Sequence, residues 1–322
     1  MTIADEILQF TFSGDPADPI KRHPIGLYSF DHAFETANGE FGMPLGAGYE
    51  VFGFPSVGKS TFCYSLLAYL GNTLNTNAVL SDLEGFDAGH FGNILRHNDY
   101  KGDVHLIHQG KDEEILEKFE DVFLDRSDLE LEYGIGMFDS IAAISPLAER
   151  ESNLGEANFG RRAVLMGQFS RRLLPTVHPR KVGSENVYLL VNHYYKKVGG
   201  NKFEYHSPGG NIKGFLCGVQ IHLGKAAKYS EGSYLLKGTL HKNRYGFQRK
   251  EFHVLMKAGV GIHRGLTAVV DAVELGVATK KQGRIKIGDE KFGQFTTILK
   301  KEWENDEFFQ PFYDALKENK DE

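Results

Sequence analysis

The run Gly53-Phe54-Pro55-Ser56-Val57-Gly58-Lys59-Ser60-Thr61 has the spacing G-x-x-x-x-G-K-[ST] and stands between an apolar run and a helical pattern. No other feature constrains the fold as much, because this motif works as a turn from a buried strand into a helix. Its glycines let the backbone curl until N–H groups point at phosphate oxygens, and the helix N-terminus adds a dipole that favours anions. Lys59 is placed to reach the β- and γ-phosphates, and the Ser60 hydroxyl to take a coordination position on Mg2+. The motif predicts a bound nucleoside triphosphate, with ATP the expected one, held by Gly53 through Thr61.

From Gly48 onward apolar strands alternate with amphipathic helices, which predicts an α/β P-loop core with a mainly parallel central sheet. Strands are expected at Tyr49–Phe52, Ala78–Ser81, Val104–His108, Ile135–Asp139, Val187–Val191 and Val219–Leu223. Helices are expected at Lys59–Leu70, Glu113–Phe123, Gly160–Leu174 and Thr267–Leu275. Asp112-Glu113-Glu114 puts carboxylates at a helix start, where the dipole favours them, and reads as a solvated face. Lys237–His241 and Lys250–Met256 read as further strands flanking a loop Lys242–Arg249. Residues 1–24 read as a short amino-terminal arm making a subunit contact, broken by Gly14, Asp15, Pro16 and Pro19. Residues 25–265 form the expected core. Residues 266–322 form a small carboxy-terminal α+β region: a helix, a Lys/Gly-rich stretch, then an acidic tail with an apolar helical stripe of Phe308, Phe309, Phe312, Tyr313 and Leu316.

Composition excludes several classes. No apolar run approaches the roughly 20 residues that span a bilayer, and the acidic start Asp5-Glu6 does not suit a signal peptide. Only Cys63 and Cys217 are present, so neither a disulfide framework nor a zinc spacing exists; both read as small buried hydrophobes, and the compartment as reducing and cytoplasmic. The net charge of −6 conceals a segregation: residues 161–250 hold 17 of the 37 basic residues but only 3 of the 43 acidic ones. One cationic surface on an otherwise acidic body suits a polyanion ligand, against the blander reading of scattered solvated lysines.

Two strands end in carboxylates. Gly134-Ile-Gly-Met-Phe-Asp139-Ser140 puts Asp139 beside the P-loop, where it can hold magnesium through water. Ala78-Val-Leu-Ser-Asp82-Leu-Glu84-Gly85 offers Glu84 to polarise an attacking water, although Asp82 and Glu84 read equally as helix caps or surface charges. Taken in order, these segments resemble the RecA recombinase family from about Ile25 to Gln294. The resemblance is carried by Gly26-Leu-Tyr-Ser-Phe-Asp31-His-Ala33, Gly42-Met-Pro-Leu-Gly46, Asp82-Leu-Glu84, Asp139-Ser-Ile-Ala-Ala-Ile-Ser-Pro146 with Glu149, Gly155-Glu-Ala-Asn-Phe159-Gly160, Leu189-Leu-Val-Asn192-His193, Gly209-Gly210-Asn211, Lys242-Asn243-Arg244 and Glu290-Lys-Phe-Gly-Gln294.

The resemblance implies that Glu84 orients the water and that Asn192 and His193 sense the γ-phosphate. Histidine at 193, where the bacterial members carry glutamine, is similar to phage-type recombinases of the UvsX kind, so a phage-encoded protein acting in a host cytoplasm is one implied source. It implies that Lys242 and Arg244 reach ATP held by a neighbouring subunit; without it they are cations in a loop. It places the first DNA-binding loop before Gly160 and the second in Tyr194–Pro208, closed by Gly209, Gly210 and Asn211. Arg171 matches a DNA-contacting position, and Phe159 and Val198 match wedges between base steps. Holding single-stranded DNA by its backbone calls for cations and stacking side chains rather than base-edge readers. Arg161, Arg162, Arg171 and Arg172 recur at helical spacing, and Lys196, Lys197, Lys202 and Phe203 add charge and a ring. Phe159 reads as core just as well, and 196–202 as an ordinary polar loop.

The implied function is a DNA-dependent ATPase that forms a filament on single-stranded DNA, pairs it with homologous duplex and exchanges strands in recombination and repair. ATP and Mg2+ are its cofactors. Its partners are single- and double-stranded DNA, other copies of itself, and single-strand-binding and mediator proteins. The rivals are a paralogue that regulates recombination without exchanging strands, and a ring-forming ATPase or helicase of the same fold.

Overall fold

The structure, a computed structural model, describes residues 20–123, 133–152, 160–177, 185–196, 205–206, 216–229, 232–300 and 306–319. The first 19 residues of the expected arm, together with Phe159, Lys197, Val198, Lys202, Phe203, Gly209, Gly210 and Asn211, lie outside them.

The chain enters through β1 (Arg22–His23), α1 (Tyr28–Ala33) and β2 (Met43–Pro44), then β3 (Ala47–Gly53) and α2 (Lys59–Leu74). Strands β4 (Asn77–Asp82), β5 (Val104–Ile107), β6 (Tyr133–Asp139) and β7 (Val187–His193) follow. Between them lie α3 (Ala88–His97), α4 (Asp112–Phe123), the single turn α5 (Leu147–Arg150) and α6 (Arg161–Leu173). A two-residue pair, β8 (Tyr195–Lys196) and β9 (Tyr205–His206), precedes the long strands β10 (Cys217–Lys228), β11 (Ser233–Asn243) and β12 (Glu251–Lys257), and then β13 (Gly261–Ile262). The remainder is α7 (Arg264–Glu274), β14 (Thr279–Lys281), β15 (Arg284–Ile287), β16 (Glu290–Gln294), α8 (Phe295–Ile298) and α9 (Asp306–Glu318).

Nine strands form the main sheet in the order β13-β12-β11-β10-β3-β7-β6-β4-β5. From β10 to β5 every pairing is parallel, and β11, β12 and β13 extend it antiparallel. The expected mainly parallel α/β core is what forms. Parallel strands are covered on both faces, and β7 shows it residue by residue. Val187, Leu189 and Val191 enter one apolar cluster with Phe62, Leu66 and Leu70 of α2, whereas Tyr188 and Leu190 enter another with Phe119 of α4 and Phe169 of α6. The nucleotide motif therefore lies over one face and the arginine-bearing α6 over the other. Both cysteines are buried and unbridged, and among the described residues no helix is long and apolar enough to cross a membrane.

One expectation is corrected. Lys242 lies in a strand rather than in a loop, because β11 continues to Asn243 with Gln220 opposite Lys242. The Lys/Gly-rich stretch after α7 is a three-stranded antiparallel sheet whose first hairpin turns on Gln282 and Gly283, both at positive φ (49° and 79°), as a two-residue turn between twisted strands requires.

A third apolar cluster joins α7 to Phe309, Phe312 and Leu316 of α9, Ile285 of β15, and Leu235 and Leu255 of the main sheet. The stripe expected in the tail is thus this helix's packing face. Asp271 of α7 is buried at 1% exposure and accepts from the Ser29 N–H of α1 at 3.1 Å. Burial raises its pKa from 3.8 to about 7, with Glu274 adding to the rise and Ser29 and His253 opposing it. For a carboxyl raised on folding, the attached stability is fully present below the ordinary value and is lost as pH rises through the folded one. At about 1.36 kcal/mol per unit the loss is on the order of a few kcal/mol. Asp271→Asn, which still accepts from Ser29, is expected to raise the melting temperature by several degrees at pH 8. The gain should shrink toward pH 5. Thermal melts at the two values decide it, and equal gains at both would remove the ionic explanation.

Candidate functional site

The turn between β3 and α2 explains its own glycines. At Gly53 a Cβ would meet the Leu223 carbonyl oxygen of β10 at 2.5 Å. At Gly58 the backbone has φ +101°, and a Cβ would meet the Tyr234 hydroxyl of β11 at 2.3 Å. Strands β10 and β11 therefore press the loop into its curl. The remaining loop residues, Phe54, Pro55, Ser56 (φ 59°) and Val57, carry the chain round to Lys59 at the first helical position.

Lys59 donates to the Phe54 carbonyl at 3.2 Å, and its ammonium lies 3.4 Å from His193 Nδ1. An ammonium only donates, so Nδ1 accepts and Nε2 carries the ring proton. That nitrogen is 2.5 Å from Glu84 Oε1, and the Ser140 hydroxyl donates to the same oxygen. Burial pushes the Glu84 carboxyl up, but the hydrogen bonds from Ser140 and His193 and the nearby Lys59 charge outweigh it, so the pKa falls below the ordinary value. Glu84 is therefore an anion at neutral pH. Asp82, two residues earlier at the end of β4, accepts from the Glu84 and Gly85 N–H groups at 3.1 and 2.7 Å and so shapes the turn that presents Glu84.

Asp139 ends β6 at 2% exposure. Burial raises its pKa to about 7 against the hydrogen bond from Ser60, and its Oδ1 is buried without a hydrogen-bond partner. A hydroxyl and a carboxylate with an unsatisfied oxygen suit a hard cation that completes its shell with phosphate and water, which fits Mg2+. No group of three or more His, Cys, Asp or Glu capable of holding a metal by itself occurs among the described residues.

Asn192 lies on the opposite face of β7 from His193. Its amide donates to Glu50 Oε1 at 2.7 Å, its Oδ1 accepts from the His193 N–H at 2.9 Å, and Gln220 donates to Glu50 Oε2 at 2.6 Å. Glu50 is fully buried. Sequence reading missed it, although a lone carboxylate inside the apolar run Tyr49-Glu50-Val51 is a signal: a buried charge has to find partners. Asp112 is a correction of another kind. It is not a solvated face. At 5% exposure it accepts from the Ser145 N–H at 2.6 Å and from Arg150, while Glu113 accepts from the Leu147 N–H at 2.7 Å. The first turn of α4 thus binds the segment that follows Asp139.

The four arginines of α6 divide. Arg161, Arg171 and Arg172 are exposed. Arg162 turns inward, donating to the Ala142 carbonyl at 3.1 Å and lying 4.0 Å from Glu149, and Arg172 pairs at 3.1 Å with the buried Glu120. Lys196 is in β8, directly after the end of β7. Lys242 donates to the Cys217 carbonyl at 2.9 Å, and the Arg244 N–H to Gly218 at 3.0 Å. Cys217 is level with Gly48 of β3, and five residues of strand, roughly 17 Å, separate Gly48 from Gly53. The structure therefore does not bring Lys242 and Arg244 to the P-loop of their own chain.

The model of the RecA N-terminal domain family matches residues 22–260, about three quarters of the sequence. The chain belongs to the RecA family. Protein RecA of Oleidesulfovibrio alaskensis is 28% identical over 270 residues, covering 81% of this chain and 72% of the relative. Protein RecA of Aquifex pyrophilus is 27% identical over 287 residues (86% and 77%), and that of Chlorobaculum tepidum 27% over 286 (85% and 78%). The RecA match takes in the P-loop, Glu84, Asp139, His193 and Lys242 with Arg244, and stops before the sheet of β14, β15 and β16.

Proposed function

We propose that this RecA-family chain is an ATP-dependent DNA recombinase of the phage-type UvsX kind. It polymerises on single-stranded DNA, pairs it with homologous duplex and exchanges strands. The observation that carries the reading is the continuous line Lys59–His193–Glu84–Ser140. It joins the triphosphate loop, a water-orienting carboxylate and the end of β7, from which the chain runs directly into the second candidate DNA segment.

Backbone N–H groups of residues 56 to 60 cradle the triphosphate of ATP at the start of α2, and Lys59 supplies charge to its β- and γ-phosphates. Ser60 and Asp139 hold the magnesium ion, which neutralises phosphate charge when bound. Glu84, kept ionised by its neighbours, orients the attacking water. A γ-phosphate arriving at Lys59 competes with His193 for the ammonium, so His193 and Asn192 register it and pass the change along β7. Lys242 and Arg244, remote from their own loop, act on ATP held by the next subunit in a filament. Ordering the filament interface and the DNA segments when ATP is bound, and releasing them on hydrolysis, is an order–disorder switch.

DNA is held by Arg161, Arg171 and Arg172 on α6 and by the second segment: Lys196, Lys197, Val198, Lys202 and Phe203, closed by Gly209, Gly210 and Asn211. Phe159 serves as a wedge ahead of α6. The amino-terminal arm (1–24) provides a subunit contact, the core is 25–265 and the carboxy-terminal region is 266–322. Single-strand-binding and mediator proteins are further partners, and the cytoplasm of a cell or of a phage host is the site of action.

ATP turnover with and without single-stranded DNA tests the reading. Turnover is expected to rise at least about tenfold on DNA, and the stimulation to weaken steeply between about 50 and 200 mM salt, as counterion release requires. Arg171→Ala is expected to weaken DNA binding by a similar factor on every sequence. Turnover indifferent to DNA would sink the recombinase reading and leave the nucleotide site standing.

A further inference from the structure

Ser140 holds Glu84 by a hydrogen bond and begins a segment that continues to Arg150. This segment contains one 3₁₀ turn, Ile141–Ala143, and the single turn of α5. So little internal hydrogen bonding leaves its rigidity to its anchors.

Two helices supply those anchors. The first turn of α4 contributes Asp112, on Ser145 and Arg150, and Glu113, on Leu147. The N–H groups of Ser145 and Leu147 stand ahead of and at the start of α5, where no helical carbonyl is available to them. The first turn of α6 contributes Arg162, whose guanidinium holds the Ala142 carbonyl and faces Glu149. Ala142 is two residues from Ser140. Ile141 and Ile144 complete the hold by burial. Asp112 and Glu84 line one cavity of about 490 Å³, and the stretch from Ser140 to Ser145 joins them by hydrogen bonds at its two ends.

We propose that Asp112 and Arg162 are positioning residues for ATP turnover: together they hold segment 141–150 so that Ser140 keeps Glu84 in place, and Arg162 carries the state of the DNA-facing helix into that segment. Arg161 and Arg171 point outward on the same helix, so phosphate bound to them moves or steadies α6. Arg162, turned inward on the first turn, transmits that displacement to Ala142. Asp112 is the fixed end of the strut. The inference rests on the ATPase reading above, but its Asp112 half is read without DNA.

The test uses the full chain and steady-state ATP turnover, alone and with a thymidine oligonucleotide. DNA affinity is measured by fluorescence anisotropy in a slowly hydrolysed ATP analogue. Asp112→Ala is expected to lower kcat at least about tenfold with KM for ATP within about threefold, because the phosphate loop is untouched. Asp112→Asn, which retains an acceptor for Ser145, is expected to recover about threefold of that loss. Arg162→Met is expected to lower DNA-stimulated kcat about tenfold while DNA affinity changes by less than about threefold. Wild-type kcat in both Asp112 variants would overturn the proposal. So would a fall in kcat matched by a rise in KM and a lowered melting temperature in both, since that is general destabilisation. Arg162→Met losing DNA affinity in proportion to its activity would make Arg162 a DNA contact and overturn the relay. A wild-type protein whose turnover ignores DNA overturns the recombinase reading alone, and the kcat–KM split at Asp112 still decides the strut.

Discussion

Replacing Glu84 with glutamine is expected to lower DNA-stimulated ATP turnover by about 10²- to 10⁴-fold, the range for removing a positioned general base. Nucleotide affinity should stay within about threefold, because Lys59 and the loop amides are unchanged. The substitution suits the geometry. The glutamine carbonyl oxygen still accepts from Ser140 and from His193 Nε2, the partners that now converge on Oε1. What disappears is the negative charge, which those same neighbours hold on the group by keeping its pKa low. A loss in kcat with nucleotide binding intact therefore isolates the charge from the scaffold. Equal turnover in the variant would mean that Glu84 only caps the turn after β4, and the water would need another base. Filament formation with ATP should persist in the variant, since the step it blocks comes after binding. Light scattering on single-stranded DNA reads that directly.

The features that were legible in the sequence are local ones. The P-loop was readable whole because its chemistry demands adjacent residues, and its strand and helix flank it. Asp139 and Glu84 were readable because each ends an apolar run. The acid-rich start of α4 was misread because periodicity places Asp112 on a helix end without saying what lies opposite. Its partners, Ser145 and Arg150, lie more than thirty positions away in sequence and meet it only through the packing of the second core. Glu50 was hidden in the same way: Asn192 and Gln220 flank it because β3 sits between β7 and β10 in the sheet, an order no single strand announces. Helix α3 went unread because Gly89 and Gly92 weaken its helical signal. Its mark was Asp87, whose side chain accepts from the His90 N–H at 3.0 Å and caps the first turn. The hairpin from Thr279 to Ile287 was marked too, by the alternation Arg284-Ile285-Lys286-Ile287 after Gln282-Gly283, although only the α+β character of the region was read and not its strands. The inward turn of Arg162 had no mark at all. Helical spacing gives Arg161 and Arg162 adjacent angles, and only the position of Ala142 separates their roles.

Removing Lys242 and Arg244 together is expected to cost about 10³-fold or more in turnover, the scale for cations that stabilise charge on a transferring phosphoryl group. Because these side chains sit level with the amino end of β3 and the P-loop follows its carboxyl end, the loss should be repairable by a neighbour. The Lys242→Ala/Arg244→Ala chain retains its own P-loop and Glu84. The Glu84→Gln chain retains Lys242 and Arg244. Each is inactive alone. Mixed in equal amounts on single-stranded DNA, they create junctions in which the first chain supplies the nucleotide site and the second supplies the cations. If they join at random in a head-to-tail assembly, about one junction in four is complete, so about a quarter of wild-type turnover should return. A ring and a helical filament both allow that recovery, and electron microscopy of the mixture separates them. Absence of recovery, with both variants folded and binding DNA, would mean that Lys242 and Arg244 serve their own chain, through a movement of β10 and β11 that brings them some 17 Å along the sheet. Turnover in the mixture therefore decides whether the phosphate loop from Gly53 to Thr61 is a complete site or half of one.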